Sequence, residues 1–465
     1  MRVAFTGCSN ANVNKLRSLV SGVNSCDIID NADVVINFSS NNKTVGTHYT
    51  FNENISILNY EDRVESILKG ERINYIRSNS HSYRWKTKYI IDVFDLQVIR
   101  VMARYSKNKN FVQIKNLSLK TTKIVCEIAV NTLYSLGLDF GVVTVCVSNS
   151  DAKFVQSIQI ADNLSDRSLD LWSKWINHQK TLWSNEMRFV AKPKSESWTN
   201  LKLGADPEFL LYDRLTRRWL IASEYFPRNG MVGTDDRAIY YPRHGYPLAE
   251  LRPSPANNPK QLVENIRKTM QRGIQYIPCN NVAWIAGSCP LKGFPIGGHI
   301  HYSILPNSRM LRAFDNYLSL PLLMLEKPIP AMNRRKKYGK LGDFRVKSHG
   351  GFEYRTPASW LMSEEIALGV ITLGYIIAIS YPILTKNFLD SASSRAAYYR
   401  CDKNYFRPIV KVLWDDLRMC PAFGENYKYI RKIESMILSN KVWQESVDFR
   451  RYWRVNIPKH MCSKL

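Results

Sequence analysis

The nine cysteines of this 465-residue chain are scattered, and no two form a CxxC pair. That pattern excludes a thiolate zinc site and gives no disulfide framework, so it fits reduced thiols in a cytoplasm. Acid is also in short supply: 40 Asp and Glu stand against 65 Lys and Arg, a net charge of +25. The excess predicts attraction to polyanions, an anionic polymer or a nucleic acid among them. No helix-turn-helix, zinc-finger or RNP-type motif turns that attraction into a nucleic-acid reader. The first residues lack the apolar stretch of a secretory signal. The turn at 7–10, Gly-Cys-Ser-Asn, is neither a P-loop nor a GxGxxG fingerprint. One run, 366–385, carries no charge and is long enough to span a membrane. It contains Gly369, Thr372, Gly374, Ser380 and Pro382 and opens at Ser363-Glu364-Glu365, a helix N-terminus. A buried helix is expected there, and no transmembrane segment.

What is present marks a folded protein: 45% hydrophobic residues, 12% aromatic. The length calls for two or three domains. Near the N-terminus, Val3-Ala4-Phe5-Thr6 and Val34-Val35-Ile36-Asn37-Phe38 read as buried parallel strands with a helix over 14–23 between them. Strands about Tyr89–Phe94 and Gln97–Val101 then flank a turn at Asp95-Leu96, a helix follows over 122–136, and Leu138-Asp139-Phe140-Gly141 opens another strand. This succession resembles the C-terminal half of an ATP-grasp domain, in which Asp139 would face a metal–nucleotide site. The stretch matching that family's Glu-x-Asn metal pair is Gln159-Ile160-Ala161, which lacks the anionic ligands Mg²⁺ prefers. The region 1–190 is therefore read as a degenerate ATP-grasp-like α/β domain. A polar linker over 191–200 leads into a second domain, 191–385, and a basic helical extension, 386–465.

The second domain holds four short segments of one grammar: Asp206-Pro207-Glu208, Glu250-Leu251-Arg252, His299-Ile300-His301 and Glu353-Tyr354-Arg355. In an extended strand, residues two apart share a face. The pattern predicts four strands of one sheet, apolar towards a core and polar towards a cavity. Like charges gathered on one face repel unless a cation is bound among them, so the set reads as a site for divalent metal and phosphate. Interleaved helices make the class α+β.

The order of motifs is specific. Gly204-Ala205-Asp206-Pro207-Glu208-Phe209, Gly233-Thr234-Asp235, Glu250-Leu251-Arg252-Pro253 and Gly297-Gly298-His299-Ile300-His301 come first. Arg334-Arg335, Tyr338-Gly339, Arg345 and Glu353-Tyr354-Arg355-Thr356-Pro357 follow. Over about 200–385 this resembles the phage-type carboxylate–amine ligases (phiEco32-like, type 2) of the glutamine synthetase and glutamate–cysteine ligase superfamily. The resemblance implies a concave antiparallel sheet, ATP with Mg²⁺ or Mn²⁺, and ligation of a carboxylate to an amine, such as those of peptides or amino acids. It also implies a phage product acting in the host cytoplasm. Position by position it makes Asp206, Glu208, Glu250, His299 and Glu353 metal ligands, with His299, His301, Arg335 and Lys340 on the nucleotide. It gives the reacting groups to Arg355, Arg345, Arg334 and Arg252.

Such chemistry needs those residue types. A carboxylate resists attack by an amine until ATP converts it to an acyl phosphate, and phosphoryl transfer calls for cations over developing charge. The loop 334–345 supplies them, and guanidinium can hold phosphate bidentately. The competing expectation is a basic virion- or nucleic-acid-associated binding protein with a relic ligase fold.

Overall fold

Two units take up the chain: 1–192 with 390–395, and 193–389 with 396–465. The computed structural model describes residues 3–6, 11–20, 33–38, 49–77, 84–107, 110–160, 166–191, 201–239, 244–348 and 350–459. The turn at 7–10, Ala161 and, apart from Ala191, the expected linker lie outside them.

In the first unit, Val3–Thr6 and Val34–Asn37 are fully buried and pair in parallel, and Tyr49–Phe51 extends their sheet. The helix between the first two strands begins at Ala11, earlier than the expected residue 14. A second, antiparallel sheet is built on Trp85–Phe94, flanked by Gln97–Tyr105 and Phe140–Ser148, with Lys153–Gln159 beyond the latter. The hairpin turn forces Asp95 and Leu96 to positive φ, 47° and 68°, as a two-residue connection of this twist demands. Phe94 stacks on Phe140 at 4.8 Å, and Trp172 meets both edge-on. That aromatic cluster centres the core, large rings giving much burial per residue.

Asp139, expected at a metal–nucleotide site, is a brace here. It is buried, and its Oδ2 accepts the backbone N–H of Asn52 at 2.6 Å. The Asn52 side chain in turn accepts the N–H of Asp139 at 2.6 Å and that of Phe140 at 3.1 Å. Asn52 sits at φ 56°, a conformation a non-glycine residue keeps only when its surroundings hold it.

In the second unit the four charged segments fall on two sheets, not the single sheet expected. One has the order Arg218–Leu220, Glu208–Asp213, Ala249–Leu251, Val232–Thr234, with Val282–Ile285 also pairing with Glu208–Asp213. The other runs Phe344–Val346, Phe352–Tyr354, Ile300–Tyr302, Leu203–Ala205. The chain passes between them at Asp206-Pro207, since proline cannot donate to a ladder and breaks the strand there. Two backbone bonds stitch the seam: Asp206 N–H to the His299 carbonyl at 3.4 Å and Glu208 N–H to the Gly297 carbonyl at 2.9 Å.

The expected apolar alternation holds on both sheets. Phe209 stacks on Trp284 at 4.5 Å, and Tyr354 on Phe314 at 4.9 Å, all four rings buried. Helix Pro259–Tyr276 starts from the Asn258 cap, whose side chain accepts the Gln261 N–H. Helix Glu364–Ser380 starts from Ser363 and is apolar nearly all round because it is buried nearly all round. Among the described residues no helix is long and apolar enough to cross a membrane. Among the described cysteines Cys279 is disulfide-bonded, which corrects the reading of all thiols as reduced, while Cys126, Cys146, Cys289, Cys401 and Cys420 are free.

Candidate active site

The seam brings the acidic residues together. His299 Nδ1 lies 2.9 Å from Asp206 Oδ1 and 3.1 Å from Glu353 Oε1. One ligand atom from each of Asp206, His299 and Glu353 lies within 4.8 Å of the others. His301 Nε2 lies 3.0 Å from Asp206 Oδ2. On the neighbouring sheet Glu208 and Glu250 are directly opposed in register. Both are buried, and Glu208 Oε1 finds no hydrogen-bond partner.

Burial sets the electrostatics of this cluster and the neighbours decide the sign at each group. Burial raises Glu250, the Asp206 charge adds to it, and Arg252 offsets them only in part, so the carboxyl is pushed up to about 8. Burial also raises Glu208, against the pull of Arg237 and His299. Glu353 goes the other way: burial opposes its charge, but the His299 hydrogen bond and Lys347 outweigh burial and bring it to about 2. Asp206 is likewise held well below the usual range by the two histidines, against burial. His299 is raised well above the usual imidazole value because Asp206 overrides its burial.

The predicted cations divide into those at the cluster and those behind it. Arg355 Nε lies 3.5 Å from Glu353 Oε1, and Arg345 Nη1 lies 3.7 Å from Glu353 Oε2. Arg252 Nη2 bonds Glu250 Oε2 at 2.6 Å and the Thr234 carbonyl at 2.9 Å, while Nη1 bonds the Arg228 carbonyl at 3.3 Å. It serves to fix Glu250.

Arg334 is not at the cluster. Its fully buried guanidinium donates to the carbonyls of Ile296 at 2.7 Å, Thr356 at 2.8 Å, Pro357 at 2.6 Å and Arg355 at 3.4 Å, leaving no fork for phosphate. Arg335, placed on the nucleotide from sequence, pairs instead with buried Glu326 at 2.6 Å and lies over the Tyr398 ring at 4.4 Å. Lys340 is half-buried, and its backbone carbonyl accepts from Thr356 Oγ1 at 2.9 Å.

Four further residues belong to the site. Arg237 donates to Glu208, to Asp235 Oδ1 at 2.6 Å and to the Pro295 carbonyl at 2.6 Å. Asp235 thus orients the arginine that holds Glu208. Lys347 Nζ reaches Glu353 Oε2 at 2.5 Å. Tyr338 Oη lies 3.0 Å from His299 Nε2 and accepts from Arg355 Nη2 at 2.5 Å. Asp235 stood in a recognised motif, and Lys347 shares the face of Arg345 by strand spacing; Arg237 left no signal in the sequence.

The cluster fits a divalent cation. Hard cations take carboxylate oxygens, with imidazole nitrogen acceptable to several metals. Asp206, His299 and Glu353 supply that set, and Glu208 Oε1 adds a buried acceptor without a partner. The upward pull on both His299 and Glu250 is what negative charge gathered without a cation produces.

Arg355 and Arg345 stand beside the acidic cluster, and the family match makes the chain an ATP-dependent carboxylate–amine ligase. It belongs to the family described as phage phiEco32-like COOH.NH2 ligase-type 2, which matches residues 203–455. The match runs beyond residue 385, where the sequence resemblance ended. No curated protein matches the chain. Its structural neighbours are ATP-grasp ligases and glutamine synthetase-like proteins. A bifunctional glutathione synthetase from Pasteurella multocida is 9% identical, covering 58% of this chain and 52% of its own, with a TM-score of 0.34. A Plasmodium falciparum glutamine synthetase is 11% identical over 87% and 98%, with a TM-score of 0.30. An ATP-grasp ligase, PsnB, complexed with precursor peptide PsnA2 and AMPPNP, is 8% identical over 38% and 96%, with a TM-score of 0.30. At such scores the assignment rests on the family match alone.

Proposed function

We propose that the second unit joins a carboxylate to an amine through an acyl phosphate formed from ATP, with Mg²⁺ or Mn²⁺ held by Asp206, His299 and Glu353. The observation that carries this reading is the convergence of those three side chains, from three neighbouring strands of one sheet, within 4.8 Å. Glu208 and Glu250 complete the acidic wall. A bound dication supplies charge neutralisation at the phosphates, and the rest is done by this chain's own groups.

Arg355, Arg345 and Lys347 gather on one side of Glu353, where they meet the charge that grows on a transferred phosphoryl group. Arg345 is more than half exposed and so is free to swing onto a substrate carboxylate or phosphate. Arg237 and Arg252, both tied to backbone carbonyls, hold Glu208 and Glu250 in place before substrate arrives. His301, a quarter exposed at the rim, is placed to approach the nucleotide. The substrates are a peptide or amino-acid carboxylate and an amine, and the setting is a phage-infected host cytoplasm. The first unit is an ATP-grasp-like domain that has lost its own turnover, as Gln159 and Ala161 in place of that family's Glu and Asn support.

The test is a screen of carboxylate and amine pairs with ATP and Mg²⁺ or Mn²⁺, read by mass spectrometry for a product one water lighter than its two parts. ADP should appear with that product and only when the cation is present. ADP-free coupling, or turnover unaffected by a chelator, would overturn the proposal.

A further inference from the structure

Tyr338 lies at the crossing point of the site, and neither the chemistry above nor the family match gives it a role. Its hydroxyl stands 3.0 Å from His299 Nε2, on the side of the imidazole away from Asp206 and Glu353, which both face Nδ1. The same hydroxyl accepts from Arg355 Nη2. Three guanidiniums surround its ring: Arg237 at 4.8 Å from the centroid, Arg334 at 5.4 Å and Arg355 at 5.4 Å. Such faces attract cations, so the ring and the arginines fix one another.

The turn that carries Tyr338 is itself built for this position. Helix Pro328–Arg335 ends there, and the Tyr338 N–H donates back to the Arg334 carbonyl at 2.9 Å. The next residue, Gly339, has φ +70°, and a Cβ on it would sit 1.9 Å from Arg334 Nη1. The Gly339 carbonyl accepts from Tyr398 Oη at 3.1 Å.

A histidine binds metal through one nitrogen, and the hydrogen bond at the other chooses which. We infer that Tyr338 is a positioning residue that takes the Nε2 proton of His299 as a hydrogen bond, so that Nδ1 is the nitrogen presented to a divalent cation between Asp206 and Glu353. By the same hydroxyl it ties that histidine to Arg355, so the cation site and the arginine over the reacting groups are set together. This assignment rests on the proposed metal reading of the site.

The test uses Tyr338→Phe in the full chain, which keeps the ring among its three arginines and removes only the hydroxyl. Mn²⁺ affinity, measured without ATP by titration, should weaken by about 10- to 100-fold, the usual cost of losing an outer partner of a metal-binding histidine. Nitrogen NMR of histidine-labelled wild type with Mg²⁺, the His299 signal assigned by its loss in His299→Gln, should show Nε2 protonated. Wild-type Mn²⁺ affinity in Tyr338→Phe, or a proton on Nδ1 in the Mg²⁺-bound wild type, overturns the role of Tyr338 and leaves the metal site standing. A wild type that binds no divalent cation overturns both.

Discussion

Glu250 and Glu353 are both buried carboxylates within one cluster, yet their ionisation is pulled in opposite directions. The folded value of Glu250, about 8, lies above its ordinary 4.5, so its contribution to stability is whole below 4.5 and is lost as pH rises through 8. Glu353, at about 2 against 4.5, contributes stability above 4.5 that is lost as pH falls through 2. With metal removed by chelator, Glu250→Gln should therefore melt higher than wild type at pH above 8, the gap closing as pH falls towards 4.5. Glu353→Gln should melt lower than wild type at neutral pH, because it gives up the charge that His299 and Lys347 favour. Melting curves against pH for both variants decide this. Equal responses from the two would show that the carboxylates share one environment. Under turnover conditions Glu353→Gln should slow the chemical step by roughly two to three orders of magnitude, by analogy with losing one preorganised electrostatic contact.

Among elements, the turn after helix Pro328–Arg335 is where sequence reading and structure part most clearly. A run of Arg, Lys and Gly on a predicted loop looks like a phosphate clamp, because charge and flexibility are all that the sequence offers there. Burial decides otherwise: a guanidinium enclosed by four carbonyls serves the backbone, and only the fold shows that enclosure. Strand spacing, by contrast, made the acidic residues legible, since period two is local and survives whichever sheet receives the strand. It could not show that the segments divide between two sheets, which depends on long-range pairing around Pro207. A helix cap was legible too, at Ser363, because a cap is a local bond. Gly339→Ala places a side chain at φ +70° against Arg334 and should destabilise the fold by roughly 1 kcal/mol or more in urea unfolding. It should also lower ligation by moving Tyr338. Wild-type stability in that variant would mean that the turn relaxes at no cost.

At the scale of the whole molecule, the family match covers the second unit, and the chemistry is proposed there alone. Asp139→Asn, tested in the full chain, separates a brace from a catalytic ligand. Removing the charge that accepts the Asn52 N–H should lower the melting temperature while leaving ADP formation per folded molecule unchanged. Loss of ligation without loss of stability would return Asp139 to a nucleotide site.

The seam at Asp206-Pro207 has a consequence for how the protein breathes. Two bonds between backbone groups, donated by the Asp206 and Glu208 N–H, join the segment at 206–208 to that at 297–299, the first stretched to 3.4 Å, and the Gly297 N–H adds one to Glu208 Oε2 at 2.8 Å. A join so thin should open locally far more readily than the sheets on either side, so these two amides should trade hydrogen for deuterium early. The side chains proposed to grip a cation hang from both sides of that join, so a bound ion would act as a rivet across it. Slowing of exchange at Asp206 and Glu208 would then report occupancy of the site without any substrate being known.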